Sequence, residues 1–270
     1  VLGGKIVRIA PDAAAEDAEV VDVSGKCVMP GLVDIHVHFR DPGYEYKEDI
    51  VSGLRAAAAG GFTSVVCMPN TDPAIDTKSV VKYINDKSAA AGLGRLFVAG
   101  AASKKRGNSE LAEIGDMMEE GIVAVTDDGD AVANAQLMRR VFEYTRIFGI
   151  PFMAHSEVPE MTAGGAIHEG LVSTTVGLAG IPAEAESVMV ARDVQLARLT
   201  GGRLHVTHLS TPESLESVRN AKKAGIDVTC DVTPHHLVLT DEAVMNFDTS
   251  TKVNPPLRPR EFVDTLIEGL

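Results

Sequence analysis

Apolar positions along the chain fall into short blocks separated by glycines. Glycine follows helices readily, because it takes the left-handed conformation at no steric cost. Such stops occur at Gly60-Gly61, Gly92, Gly121, Gly149, Gly201-Gly202 and Gly225. After each comes a short apolar run that reads as a buried strand: residues 62–68, 96–101, 122–126, 150–154, 204–208 and 226–232. An earlier run, 31–39, supplies the first strand. Between the runs the period is helical: Leu137, Val141, Tyr144 and Phe148 share one face, as do Leu111, Ile114 and Met118. Thr211-Pro212 pairs a capping hydroxyl with a first-turn proline and so starts a helix.

Strand and helix therefore alternate with short joints, which predicts a parallel sheet covered by helices. Seven such units favour an α/β fold of the (β/α)8 TIM-like barrel type over an open doubly wound sheet. Residues 260–269 read as the seventh helix, with Gly269 as its cap, and the chain stops where an eighth strand should begin. Two segments break the rhythm. Residues 5–9 and 19–24 are expected as short strands of a partial, small β appendage over residues 1–28, ahead of a barrel over 29–270 that is incomplete at its C-terminus. Residues 156–183 form a Gly-rich insertion, expected as a long functional loop. The missing initial methionine and the missing eighth strand lead us to expect a fragment of a longer enzyme.

Composition narrows the partners. The 270 residues carry 25 Lys plus Arg against 38 Asp plus Glu, a net charge of −13, with 45% hydrophobic residues. That balance is globular and argues against a nucleic-acid partner, which calls for a basic face. No apolar run approaches the roughly 20 residues of a membrane helix. Cys27, Cys67 and Cys230 are few and widely spaced, so neither a disulfide framework nor a thiolate zinc site is expected. Free thiols and the lack of a leader fit a cytoplasmic protein.

Candidate chemistry gathers at strand ends. His36 and His38, two apart, point to one side of the first strand at its carboxyl end, where barrel active sites lie. The fourth strand ends in Thr126-Asp127-Asp128-Gly129, the fifth at His155 and the sixth at His208. Two histidines, one carboxylate and two further histidines suit two divalent ions, with either Asp127 or Asp128 as the bridge. A two-metal site implies hydrolysis of an amide, ester or phosphoester. Arg40 lies on the ligand side, placed to hold a carboxylate or to pair with Asp41. Asn70 and Asn254 sit in turns at the same mouth. His205 is expected on the opposite strand face from His208, as a structural or supporting group, and His168 as a loop or supporting group; one of His235 and His236 could support the site, with packing or capping the other reading.

The run from Pro30 to Gly43, containing Asp34-Ile35-His36-Val37-His38-Phe39-Arg40, resembles the signature of bacterial type I dihydroorotases, metal-dependent amidohydrolases. Met68-Pro69-Asn70-Thr71, Thr126-Asp127-Asp128-Gly129, His205-Val206-Thr207-His208-Leu209-Ser210 and Asn254-Pro255-Pro256-Leu257-Arg258 resemble further blocks in order. The resemblance runs from about Val20 onward. It implies a cyclic amidohydrolase of pyrimidine biosynthesis that interconverts N-carbamoyl-L-aspartate and dihydroorotate, with one or two Zn2+ ions or other divalent ions. It further implies His36 and His38 on one metal, Asp128 as the bridge, and His155 and His208 on the other. His38, Arg40, Asn70 and Asn254 would contact the substrate. A homodimer, and association with aspartate transcarbamoylase, also follow from it. The family's strand-eight aspartate, a metal ligand and proton shuttle, is not in this sequence, so no catalytic proton-transfer residue is assigned. Asp41 and Ser156 stand where the family often has Glu and Cys. Dihydropyrimidinases and allantoinases are the rival reading, but they use a carboxylated lysine on strand four, and no lysine lies between Gly121 and Arg139. A non-catalytic scaffold is the other rival; such chains usually lose the paired histidines.

Overall fold

The computed structural model describes residues 1–11, 13 and 17–270. The chain divides into two compact units, Val1–Gly31 and Leu32–Leu270. In the first, the described residues form no strand, only an isolated bridge between Leu2 and Lys5. The strands expected over 5–9 and 19–24 are therefore absent. Two short strands alone make at best a marginal ribbon, and Ile6, Val7, Ile9, Val20 and Val21 are all exposed.

In the second unit all seven expected strands form. They are β1 (Leu32–Val37), β2 (Phe62–Cys67), β3 (Arg95–Ala101), β4 (Ala124–Thr126), β5 (Phe152–Ala154), β8 (Leu204–Val206) and β9 (Val228–Cys230). They pair in parallel in the order β1-β2-β3-β4-β5-β8-β9. The sheet is curled. Side chains from β1 and from Asp231 and Val232, just past β9, line one cleft between the two edges, and the His36 and His208 rings lie 5.5 Å apart. The helices of this unit include α1 (Ile50–Ala59), α2 (Lys78–Ala91), α3 (Ile114–Glu119), α4 (Ala135–Phe148), α7 (Glu184–Thr200), α8 (Pro212–Lys223) and α9 (Pro234–Val238). Left-handed Gly92, Gly149 and Gly201 close α2, α4 and α7, and Thr211 caps α8 by accepting from the Ser214 N–H. The last helix, α10, spans Arg260–Gly269, so Gly269 ends the helix rather than capping it.

The insertion is more ordered than a loop. It holds two short helices, α5 (Pro159–Thr162) and α6 (Leu171–Val176), around a parallel pair, β6 (Ile167–His168) and β7 (Gly180–Ile181). Its strands are two residues long, too short to leave a periodic signal. Ile167 and Val172 bury with Val244 in a small apolar cluster. Among the described residues no helix is long and apolar enough to cross a membrane.

Alternation along the strands sorts side chains into two layers. Val65, Cys67, Val98, Val125, Phe152, Ala154, Leu204 and Val206 pack outward with Leu54, Ile84, Met117, Val141, Phe142 and Val218. Val66, Met68, Ala99, Ala124 and Met153 pack inside the curl. Strand residues in phase with this inner set lead to the functional face. Close helix contact is needed beside it. A Cβ on Gly53 in α1 would lie 2.3 Å from Phe39, which sits between His38 and Arg40. Helix propensity alone favours Gly53→Ala by about 1 kcal/mol. We predict the reverse sign, a net loss of roughly 1–3 kcal/mol from overpacking, in urea unfolding. A stabilised variant would show that Phe39 yields freely.

Candidate metal centre

The inner phase explains which aspartate enters the site. Ala124 faces inward on β4, so Asp128, four residues on, shares its phase, while Asp127 follows the outward-packed Val125. Asp127 is buried and turned away: its Oδ1 accepts from the Ala102 and Ser103 N–H groups at 2.9 and 3.0 Å, and its Oδ2 from the Ser103 hydroxyl. Asp128 is 3% exposed, and its Oδ1 is buried without a hydrogen-bond donor. Around it stand four imidazoles. His36 Nε2 lies 3.2 Å from Oδ1 and His38 Nε2 3.5 Å from Oδ2. His155 Nδ1 and His208 Nε2 each lie 3.7 Å from Oδ1 and 3.0 Å from one another. Two groups of potential ligands result, His36–His38–Asp128 and Asp128–His155–His208, with the carboxylate common to both.

Neighbours set the ring tautomers. Asn70 Oδ1 only accepts, so at 3.0 Å it requires the proton on His38 Nδ1 and leaves the Nε2 lone pair facing Asp128. Glu157 Oε2, 3.3 Å from His155 Nε2, does the same for that ring and directs Nδ1 inward. Imidazole nitrogens converging on a buried carboxylate oxygen that lacks a hydrogen-bond donor fit divalent cations.

Not every histidine reaches this point by simple alternation. On β1 the register shifts between Asp34 and Val37, so the site histidines follow an irregularity rather than a uniform pleat. On β8 it is His205 that faces the interior, where it shares a small cavity with Ile35, Ala124 and Met153. His208 lies past the strand and turns in through a left-handed backbone, φ 39°. The expected opposition of the two rings is therefore not met: both lie on the inner side of the sheet, His205 within it and His208 at its mouth, because the left-handed turn brings His208 back inward.

The other candidates are placed as follows. Arg40 Nη1 donates to the Asn70 carbonyl at 3.2 Å. Asp41 is engaged by Lys87 at 2.7 Å and Tyr83 at 3.0 Å, so it does not occupy Arg40. Asn254 Nδ2 donates to Glu157 Oε2 at 3.1 Å and lies 3.2 Å from His155 Nε2. His36, His38, His208, Asp231, His235 and Asn254 line a cleft of about 610 Å3. His236 is buried between the Thr233 hydroxyl and the Pro255 carbonyl, a packing role. His168 is buried against Arg258, its Nδ1 3.0 Å from Nη1.

Three participants escaped the sequence reading. Glu157 follows His155 by two residues and could have been found by the strand-end rule, as could Asp231 at the end of β9. Arg106 could not. It comes from the loop after β3, and its Nη2 donates to the Asp128 carbonyl at 2.7 Å and to Asp130 at 2.5 Å, clamping the turn that presents Asp128.

A helix-covered parallel barrel with histidines and a shared aspartate at its strand ends defines an amidohydrolase-type metal-site protein. The family model described as dihydro-orotase-like matches residues 25–214, and the chain belongs to that family. A dihydroorotase of Pelotomaculum thermopropionicum is 51% identical over 100% of this chain and 63% of its own length. One from Acetivibrio thermocellus is 49% identical over 99% of the chain and 63% of its own length. The chain thus spans about 63% of the length of these relatives. Among solved structures, an L-hydantoinase (dihydropyrimidinase) from Arthrobacter aurescens superposes with TM-score 0.78 at 25% identity, covering 94% of this chain and 58% of that one. The fold is also that of a Saccharomyces cerevisiae dihydroorotase in complex with 5-fluoroorotic acid, with TM-score 0.69 and 16% identity over 89% of this chain and 66% of that one.

Electrostatics supply a test. Burial disfavours charge on His36 and His155, but the Asp128 carboxylate beside both, and Glu157 beside His155, raise their pKa values above the ordinary imidazole value. Burial takes His38 the other way, down to about 4. Burial also opposes charge on Asp128, yet the adjacent His208, His36 and His155 rings hold it well below the usual carboxylate range. A proton and a cation compete for one ring lone pair, so raised imidazole pKa values make competition begin at higher pH. Divalent-ion affinity, titrated calorimetrically from about pH 8 to about pH 5, should fall by about tenfold per pH unit for each imidazole proton displaced. A flat profile would contradict protonation of the ligand rings.

Proposed function

We propose that the protein is a dihydroorotase, interconverting N-carbamoyl-L-aspartate and dihydroorotate in pyrimidine biosynthesis. The observation that carries this reading is the convergence of four imidazoles on the buried Asp128 carboxylate, next to Arg40 and Asn70. His36 and His38 would hold one divalent cation, His155 and His208 a second, and Asp128 both, with zinc the preferred ion. Such cations supply Lewis acidity, polarising a carbonyl and making bound water nucleophilic at neutral pH.

The chain's own side chains do the rest. The guanidinium of Arg40 keeps N–H groups beyond its bond to the Asn70 carbonyl, and these suit a bidentate grip on the substrate carboxylate. The Asn70 amide keeps His38 in the productive tautomer while its edge meets the same carboxylate. Asn254, held by Glu157, presents its amide to the ring, and His38 adjoins the bound substrate. The proton-transfer aspartate that the resemblance places on strand eight is not among these residues, and no residue here takes that role. The same reading extends to a cytoplasmic homodimer that can associate with aspartate transcarbamoylase, on the strength of the resemblance. The hydantoinase-type alternative is disfavoured because an aspartate, not a lysine, stands beside the four imidazoles.

Carbamoyl-aspartate cyclisation by the intact protein should vanish on chelation and return with zinc. Full activity in thoroughly metal-free protein would refute the reading. Arg40→Lys should raise KM by about tenfold or more with metal content unchanged, because lysine cannot reproduce the fork. An unchanged KM would remove Arg40 from substrate recognition.

A further inference from the structure

His208 is the ligand candidate that ordinary strand geometry does not deliver. Its left-handed backbone, φ 39°, is costly for a residue with a Cβ and persists only where its surroundings impose it. The surroundings that impose it come largely from one residue of the neighbouring strand. Asp231, just past β9, accepts the His208 N–H on Oδ1 at 2.6 Å. Its own N–H donates to the Val206 carbonyl at 3.1 Å, and its carbonyl accepts from the Leu209 N–H at 2.9 Å. Asp231 thus grips the chain before, at and after the turn.

The carboxylate is itself anchored. Its second oxygen, Oδ2, lies 2.9 Å from His205 Nε2, and His205 Nδ1 lies 2.8 Å from the Thr229 hydroxyl. His205 and Thr229 are paired across β8 and β9, so this relay is braced by the ladder. On the far side the Thr207 hydroxyl donates to the Ala154 carbonyl at 2.8 Å, fixing the same turn to β5.

We infer that Asp231, braced by His205 and Thr229, is a positioning residue that holds the His208 backbone in its left-handed turn and so completes the His155–His208–Asp128 half of the metal centre. The inference rests on the two-cation reading above and deepens it. Asp231 acts here through an accepting oxygen on a backbone N–H. It lines the cleft, but the inference gives it no contact with the cation. The relevant quantity is therefore acceptor geometry. Asparagine retains that acceptor, and its amide can donate to His205 after a tautomer change; alanine retains neither bond.

The test is calorimetric titration of the metal-stripped intact protein with Co2+, together with hydrogen exchange of the His208 amide. Wild type should bind two ions and protect that amide. Asp231→Ala should bind one of the two roughly 10–100-fold more weakly and lose the protection. Asp231→Asn should restore both to within roughly threefold. His205→Phe keeps the acceptor but frees Oδ2; it should weaken one ion by roughly threefold, and it carries the test if Asp231→Ala does not fold. The inference is overturned if both variants bind as wild type does. It is equally overturned if Asp231→Ala loses the ion with His208 still protected, or if Asp231→Asn fails as badly as alanine. Failure of wild type to bind any ion would instead overturn the two-cation reading.

Discussion

One buried carboxylate organises the functional face. An anion placed inside a protein without partners loses hydration worth on the order of several kcal/mol. Asp128 is almost fully enclosed, lacks a hydrogen-bond donor on one oxygen, and meets only imidazole nitrogens there. That arrangement is unfavourable as a metal-free core and favourable as a frame for cations. The remaining structure reads as the means of holding it. Arg106 clamps the turn behind it, and Asn70 and Glu157 orient two of the rings in front.

The sheet makes this possible through phase. Parallel strands present their carboxyl ends on one face, and a two-residue period sends alternate side chains inward. Ala124 and Met153 fill the interior, and Asp128 and His155 follow in the same phase at the mouth. The opposite phase packs against helices, where Phe142 meets Phe152 edge-to-face at 5.9 Å. Core packing and ligand placement are thus consequences of one alternation. Where the alternation fails, at the β1 irregularity and the left-handed His208, local hydrogen bonds take over.

The strands and principal helices were legible because each buried strand is bounded by glycine stops. The metal-ligand candidates were legible because they end strands. What escaped has physical reasons. The choice between Asp127 and Asp128 depends on which face of β4 is inside, and only the packed sheet reveals that. Asp127 finds its partners in Ala102 and Ser103, 25 and 24 residues away, so no local pattern signals its structural role. Arg106 acts from a neighbouring loop. The N-terminal strands were read from alternation alone, which does not say whether partner strands exist.

Anomalous diffraction from crystals of the intact protein loaded with zinc would locate the cations. Two zinc peaks should flank the Asp128 carboxylate, one on His36 and His38, the other on His155 and His208. Peaks located elsewhere, or no peak beside Asp128, would contradict it.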